Sequence, residues 1–313
     1  MDTLISVVFS FRNEETNIPV AVARTRDAIK AAGCAYELIF VDDDSVDGSA
    51  KVLEQLHAED PCVKVVTMSR RFGVSECVLA GMEAARGDAV VYLDCDLQDP
   101  PELIPRMIER WKEGADVVHT VRSRRLGENS AKMWLTRQAY RLIQWASTIH
   151  LPINAGDFKL LSRRAVEHLL ALPESDPYLR GLVSWIGFPQ AFVTYERQPR
   201  LGGETHFPLF SRNPWKTAIN GFISFSFTPL YAILLCGLAG LAIGFPVLLG
   251  SVLVWMAGVA SGAWIIGALA LLAWASLMTA IGLTSLYVVR IHKDVRGRPR
   301  YIVRSSLGID AER

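Results

Sequence analysis

Apolar residues follow two regimes along this chain. Through the first two hundred residues they form short runs, 4–11, 37–41, 63–68, 89–93 and 115–121, with helical segments of mixed polarity between them. Short buried runs alternating with helices predict an α/β fold, a mostly parallel sheet covered by helices on both faces. The regime changes after Lys216: the 73 residues 217–289 contain no Asp, Glu, Lys, Arg or His.

Within that stretch, 229–256 and 264–289 each exceed the roughly 20 residues a helix needs to cross a hydrocarbon core. An uncharged link, 257–263, joins them, so a hairpin with both flanks on one side of a membrane is expected. Arg290, Lys293, Arg296, Arg298, Arg300 and Arg304 follow the hairpin, and Arg212 and Lys216 precede it. Positive charge marks the cytoplasmic side, so the large domain and both termini are expected there. The organisation that follows is a cytosolic domain over 1–210, an interfacial amphipathic helix over 211–228, the membrane hairpin over 229–289 and a cytosolic basic tail over 290–313. Trp215, Ile219, Phe222 and Ile223 supply one apolar helical face for the interfacial segment. Leu135, Ala139, Leu142, Ile143 and Ala146 form a second stripe, beside Lys132, Arg137 and Arg141. Gly240 and Gly244 make a G-x-x-x-G pair of the kind that lets membrane helices approach.

Composition adds little beyond this division. The 33 basic and 32 acidic residues leave a net charge of +1, which selects no class of partner. The five cysteines, at 34, 62, 77, 95 and 236, lack metal-ligand or disulfide spacing and read as reduced thiols. Run 4–11 follows Asp2 without a basic leader and is too short for a secretion signal, so it reads as a strand. Neither G-x-G-x-x-G nor G-x-x-x-x-G-K-[ST] occurs, which disfavours dinucleotide-dependent oxidoreductases and P-loop enzymes.

Sheets of this type bind ligands beyond the carboxyl ends of their strands. There the sequence places Arg12-Asn13-Glu14-Glu15, Asp42-Asp43-Asp44-Ser45 and Asp94-Cys95-Asp96-Leu97-Gln98-Asp99. Converging carboxylates repel unless a cation or hydrogen-bond donors offset them. Asp94 and Asp96, one residue apart in a turn, can face one ion. Mg2+ or Mn2+ typically takes one or two such carboxylates and completes its shell with water and substrate phosphates.

With these motifs in view, the chain resembles, nearly end to end, the inverting GT-A glycosyltransferases of family 2. The branch is that of polyprenyl-phosphate glycosyltransferases, which includes bactoprenol glucosyltransferases and dolichyl-phosphate mannose synthases. Residues 41–49 (VDDDSVDGS) resemble the nucleotide-binding loop, 93–102 (LDCDLQDPPE) the metal signature and 157–163 (DFKLLSR) the acceptor-side aspartate motif. Residues 203–208 (GETHFP) resemble the flexible segment before the membrane helices, and 297–301 (GRPRY) the tail. The resemblance implies an α/β GT-A nucleotide-diphospho-sugar transferase domain, with a Rossmann-like mostly parallel sheet, followed by interfacial helices and two transmembrane α-helices. It implies nucleotide-sugar contacts from Glu14, Asp42, Asp43, Asp94, Asp96 and His206, and a metal held by Asp94, Asp96 and Gln98. Asp157 and Asp96 are the implied catalytic residues, and Arg122, Arg124, Arg125 and Arg137 the implied receivers of a lipid phosphate. Departures occur at Ser10, Arg12, Arg71, Val74, His206 and Phe207; they leave fold and reaction as expected and the identity of the sugar open.

The expected reaction moves a hexose, first glucose from UDP-glucose, onto undecaprenyl or another polyprenyl phosphate in one inverting displacement at the cytoplasmic membrane face. Mannose, galactose, GlcNAc or an aminoarabinose derivative are the alternative sugars within the same family. Expected partners are the nucleotide sugar, the polyprenyl phosphate, the lipid bilayer, a second copy in a homo-oligomer and a downstream flippase, with no nucleic acid. A processive synthase of the same superfamily would carry Q-x-x-R-W and more membrane helices, and neither is present. The reading from another class is a non-catalytic membrane scaffold for a flippase, which would have no need of Asp94, Asp96 and Asp157 together.

Overall fold

The computed structural model describes residues 3–124, 155–196, 228–258 and 262–309. The interfacial helix expected at 211–228 and the stripe at 135–146 lie essentially outside them, as do Arg125, Arg137 and His206.

Strands β1 (Leu4–Phe11), β2 (Ala35–Asp42), β3 (Val63–Met68) and β4 (Ala89–Asp94) alternate with helices α1 (Ile18–Ala31), α2 (Ser49–Glu59) and α3 (Val74–Ala84). A 3-10 turn and α4 (Ile104–Lys112) lead to β5 (Val117–Arg124). Beyond lie β6 (Ala155–Ser162), α5 (Arg163–Leu170), α6 (Leu179–Trp185) and β7 (Gln190–Glu196). The chain closes with α7 (Thr228–Met256), α8 (Gly262–Val295) and β8 (Val303–Leu307).

All eight strands form one sheet in the order β7-β5-β6-β4-β1-β2-β3-β8. The β1–β2, β1–β4, β2–β3 and β5–β7 pairs are parallel; β6 and β8 run antiparallel to their neighbours. The expected mostly parallel, doubly covered sheet is therefore present. Two strands outside the five apolar runs, β6 and β7, complete one side with β5; β8 completes the other. Alternation along each strand divides the core into two layers. Ile5, Val7, Phe9, Leu38, Phe40, Val91 and Leu93 pack with α1 and α4. Val8, Ile39, Val41, Val90, Tyr92 and Leu161 pack with α3, α5 and α6. A Cβ added at Gly81 would lie 2.2 Å from Val8 Cγ1, so a glycine lets α3 seat directly on β1.

The hairpin is present as α7 and α8, which run against one another. Both are long and apolar enough to cross a membrane. They expose Leu, Ile, Phe and Trp side chains to their surroundings, a surface that water does not favour. An added Cβ at Gly240 or Gly244 would meet nothing within 4 Å, so this pair does not serve the hairpin's own packing. The expected tail differs from a free basic segment. The α8 helix continues to Val295, and Val303–Leu307 returns to the sheet as an edge strand beside β3. Its five residues are mostly exposed, as an edge strand without a buried face has to be.

Candidate active site

The strand order reverses on either side of β1, with β2 to one side and β4 to the other, so a crevice opens beyond the carboxyl ends of β1 and β4. Register places Ser10 beside Asp94 and Phe11 beside Asp42. Two strand spacings, roughly 10 Å, separate the Asp94 and Asp42 positions. Among the described residues, the left-handed non-glycine ones fall on the loops at this edge: Asn13 after β1, Asp44 after β2 and Leu97 after β4, with φ of 56°, 61° and 58°. Side chains rarely adopt that conformation, and it persists where the surroundings enforce it.

The first two loops enforce it on each other. Asn13 N donates to Ser45 Oγ at 3.0 Å, and Val46 N donates to Asn13 Oδ1 at 2.9 Å. Gly48 N donates to Glu15 Oε2 at 3.1 Å. Glu14 is buried; its backbone N donates to Ser49 Oγ, and its Oε2 accepts from Asn17 Nδ2 at 2.5 Å. Asp42 Oδ1 accepts from Ser45 N at 2.8 Å, and burial pushes this carboxyl above its ordinary value. Asp43 Oδ1 accepts from Phe72 N at 2.6 Å and Gly73 N at 3.3 Å, tying the β3–α3 loop to the end of β2. Glu14, Asp42 and Asp43, three of the expected nucleotide contacts, are thus each held by hydrogen bonds within the domain.

The acidic cluster gathers on the α6 face of the sheet. Tyr92 pairs with Lys159 at the end of the β4–β6 ladder, and Asp94 and Asp157, each two residues beyond that pair, lie close enough for the charge of Asp157 to act on Asp94. Burial, and then the negative charges of Asp157, Asp96 and Asp99, push Asp94 up to about 7, against a 3.2 Å hydrogen bond from Ser10 Oγ. Asp96 Oδ1 accepts from Gln98 N at 3.1 Å, which shapes the turn at Leu97. Asp157 behaves oppositely to Asp94. Burial alone would raise its carboxyl, but Arg180 holds it at about 2, with Lys159 and Arg122 adding to the pull. The Arg180 fork donates through Nε to Oδ1 at 2.6 Å and through Nη2 to Oδ2 at 2.5 Å.

Arg180 was not among the residues singled out in the sequence. Its signal was a lone cation inside an otherwise uncharged segment, 177–188. Two further groups stand behind Asp157. Lys159 is 1% exposed, and burial lowers its amine to about 8 although Asp157 opposes the shift. Tyr92 is buried with no hydrogen-bond partner for its hydroxyl among the described residues.

Arg122, expected to face a lipid phosphate, is engaged within the domain. Its Nη2 lies 3.3 Å from Asp99 Oδ2, and its Nε donates to Tyr195 Oη at 3.1 Å. Tyr195 in turn donates to Asp99, which is 2% exposed. This triad anchors the end of the metal-signature loop to β5 and β7. Arg124 ends β5, and nothing further is described of its side chain.

Asp94, Asp96, Asp99 and Asp157 therefore stand among Arg122, Lys159 and Arg180, one negative charge in excess. Among the described residues no three His, Cys, Asp or Glu side chains form a ready-made metal cage. The donors at Asp94 and Asp96 are all oxygen, and the excess charge is negative, which fits a hard divalent cation completed by ligand oxygens. The five cysteines are free. Only Cys62 and Cys236 are not buried, and Cys95, inside the signature, is buried with its thiol pushed up by burial.

Comparison with known proteins adds a family. The model for glycosyl transferase family 2 matches residues 6–170. The uncharacterized glycosyltransferase YkcC of Bacillus subtilis (strain 168) is 38% identical over 312 residues, covering 98% of this chain and 95% of that protein. The uncharacterized glycosyltransferase sll0501 of Synechocystis is 33% identical over 310 residues, covering 98% and 96%. The SfII prophage-derived bactoprenol glucosyl transferase of Shigella flexneri is 34% identical over 307 residues, covering 96% and 98%.

Proposed function

Since the chain belongs to glycosyl transferase family 2, we propose that it transfers a hexose from a nucleoside diphosphate donor to a polyprenyl phosphate at the cytoplasmic face of a membrane, with UDP-glucose the first donor to test. One observation carries this reading: Asp94, Asp96, Asp99 and Asp157 cluster at the switch point of a sheet whose own chain continues into an apolar hairpin. A long isoprenoid stays in the bilayer, so its transferase has to work at the headgroup level. The near full-length likeness to a bactoprenol glucosyl transferase supports the same acceptor class.

In this reading Asp42, Asp43 and Glu14 line the nucleoside end of the crevice, and Asp94 and Asp96, with Gln98, would hold Mg2+ or Mn2+ beside the donor diphosphate. Such an ion supplies positive charge that a departing diphosphate needs. A phosphate oxygen of the lipid attacks the anomeric carbon; the new carbon–oxygen bond forms as the bond to the nucleoside diphosphate breaks, with inversion. A phosphate monoester has a second pKa of about 6, so at pH 7 it is mostly dianionic and has no proton to surrender. Asp157 therefore acts as a fixed anion. A carboxyl held at about 2 is a poor base, and its charge stabilises the positive sugar in the transition state. Arg124, Arg125 and Arg137 receive the lipid phosphate, since guanidinium groups keep their charge and bind phosphate oxygens in pairs, while Arg122, tied to Asp99 and Tyr195, holds the loop beside them. His206 contributes to the donor side.

The test is reconstitution of the purified protein in liposomes containing undecaprenyl phosphate, with a panel of nucleotide sugars. A lipid-linked hexose from one donor is expected. Absence of lipid product from every donor would overturn the proposal.

A further inference from the structure

The foot of α8 is fastened to the turn that precedes α6. Arg290 Nη2 donates to Glu174 Oε2 at 2.9 Å, and Lys293 Nζ to Asp176 Oδ2 at 2.5 Å. Ser175 N donates to Asp294 Oδ1 at 3.0 Å, and Ser175 Oγ to the Lys293 carbonyl at 3.2 Å. Three consecutive residues of the catalytic domain are thus all engaged by the last turns of one membrane helix. Four residues after Asp176 comes Arg180, the fork that holds Asp157.

The chain beyond the helix is tied down as well. Arg300 Nη1 donates to the Leu170 carbonyl at 3.2 Å, Tyr301 donates to Glu83, and β8 pairs with β3. Ion pairs as exposed as Lys293–Asp176 contribute little to stability. A set of short polar contacts in fixed directions does something else, which is to hold orientation. Transfer to a lipid phosphate depends on that orientation, because the acceptor cannot leave the membrane to find the site.

We infer that Glu174, Ser175 and Asp176 with Arg290, Lys293 and Asp294 form a positioning clamp that sets the tilt and height of the catalytic crevice over the bilayer. The inference rests on the acceptor proposed above. It assigns to these residues a role in acceptor geometry, with no contact to either substrate.

The clamp predicts a split between acceptors. The variant carrying Glu174→Arg and Asp176→Lys, full length and in liposomes, is compared with wild type on undecaprenyl phosphate in the membrane and on a short-chain, water-soluble isoprenyl phosphate. Turnover of the membrane acceptor is expected to fall on the order of 10–100-fold, the scale of about 1 Å of misplacement, while the soluble acceptor and the KM for the nucleotide sugar stay within about twofold. Adding Arg290→Glu and Lys293→Asp restores the pairs with reversed sign, and membrane turnover should recover. Equal loss on both acceptors, unchanged turnover on both, or failure of the reversed pairs to rescue would each overturn the clamp. Energy transfer from a dye at Lys112→Cys, with the native cysteines replaced, to labelled lipid headgroups reads the same geometry without turnover. A distance identical in wild type and the two-site variant would overturn the clamp, whereas a wild type that modifies neither acceptor would overturn the proposed function and leave that distance to judge the clamp.

Discussion

Replacing Arg180 with Gln tests whether Asp157 acts as a held anion. The carboxyl stands at about 2 against an ordinary 3.8, and the fork from Arg180 is the largest favourable contribution. At 1.36 kcal/mol per pH unit, that difference is about 2.4 kcal/mol. The two side chains are 37% and 30% exposed, so solvent screening reduces it to about 1–1.5 kcal/mol. If the same interaction fixes where the carboxylate sits, its loss is worth roughly tenfold on a step that depends on that placement. Arg180→Gln should therefore lower kcat/KM for hexosyl transfer roughly tenfold, measured as radiolabelled lipid product, with Arg180→Lys between it and wild type. Without the fork, burial raises the Asp157 carboxyl, so it protonates at higher pH and the acid side of the rate profile moves upward. A variant within twofold of wild type, with its acid limb unmoved, would refute this account of Asp157.

Asp96→Ala should abolish transfer while leaving the protein in the membrane fraction, and chelation of divalent cations should do the same to wild type; turnover surviving both would remove the metal from the reading. At the opposite end of the strands, Glu37 accepts from Ser6 Oγ at 2.5 Å, Lys64 Nζ at 2.7 Å and Arg86 N at 2.6 Å. Burial works against the Glu37 charge, yet these donors hold its carboxyl below the ordinary 4.5. Its contribution is therefore present above the unfolded-state pKa and lost as pH falls through the lower folded-state value. Glu37→Gln should cost about 3 kcal/mol at pH 7 by leaving buried donors poorly matched, with a smaller loss below pH 4, read as Tm against pH in detergent. An unchanged Tm at pH 7 would count against the network. Gly81→Leu should destabilise by about 1–3 kcal/mol or more because α3 cannot approach β1, and a wild-type Tm would contradict that packing.

The fold was legible where burial is two-sided. Runs 4–11 and 63–68 coincide with β1 and β3, because a strand covered on both faces is apolar throughout. β6 does not show as a strand in the sequence because Gly156, Asp157 and Lys159 interrupt its apolar positions, and Asp157 belongs to the site. β8 carries Arg304, Ser305 and Ser306 at an edge, so it offers no buried face for a pattern to register. The acidic motifs were legible because they follow strands. Their partners were not: Arg122 meets Asp99 and Tyr195, and Asp157 meets Arg180, through contacts that only the folded sheet creates.

The configuration of the lipid-linked sugar tests the central claim most directly. If a lipid phosphate displaces the nucleoside diphosphate in one step beside an anionic Asp157, an α-linked donor must give a β-linked hexosyl phosphate, read from the anomeric proton and carbon signals of the purified product. A product that retains the α configuration would exclude a single in-line displacement and contradict the account.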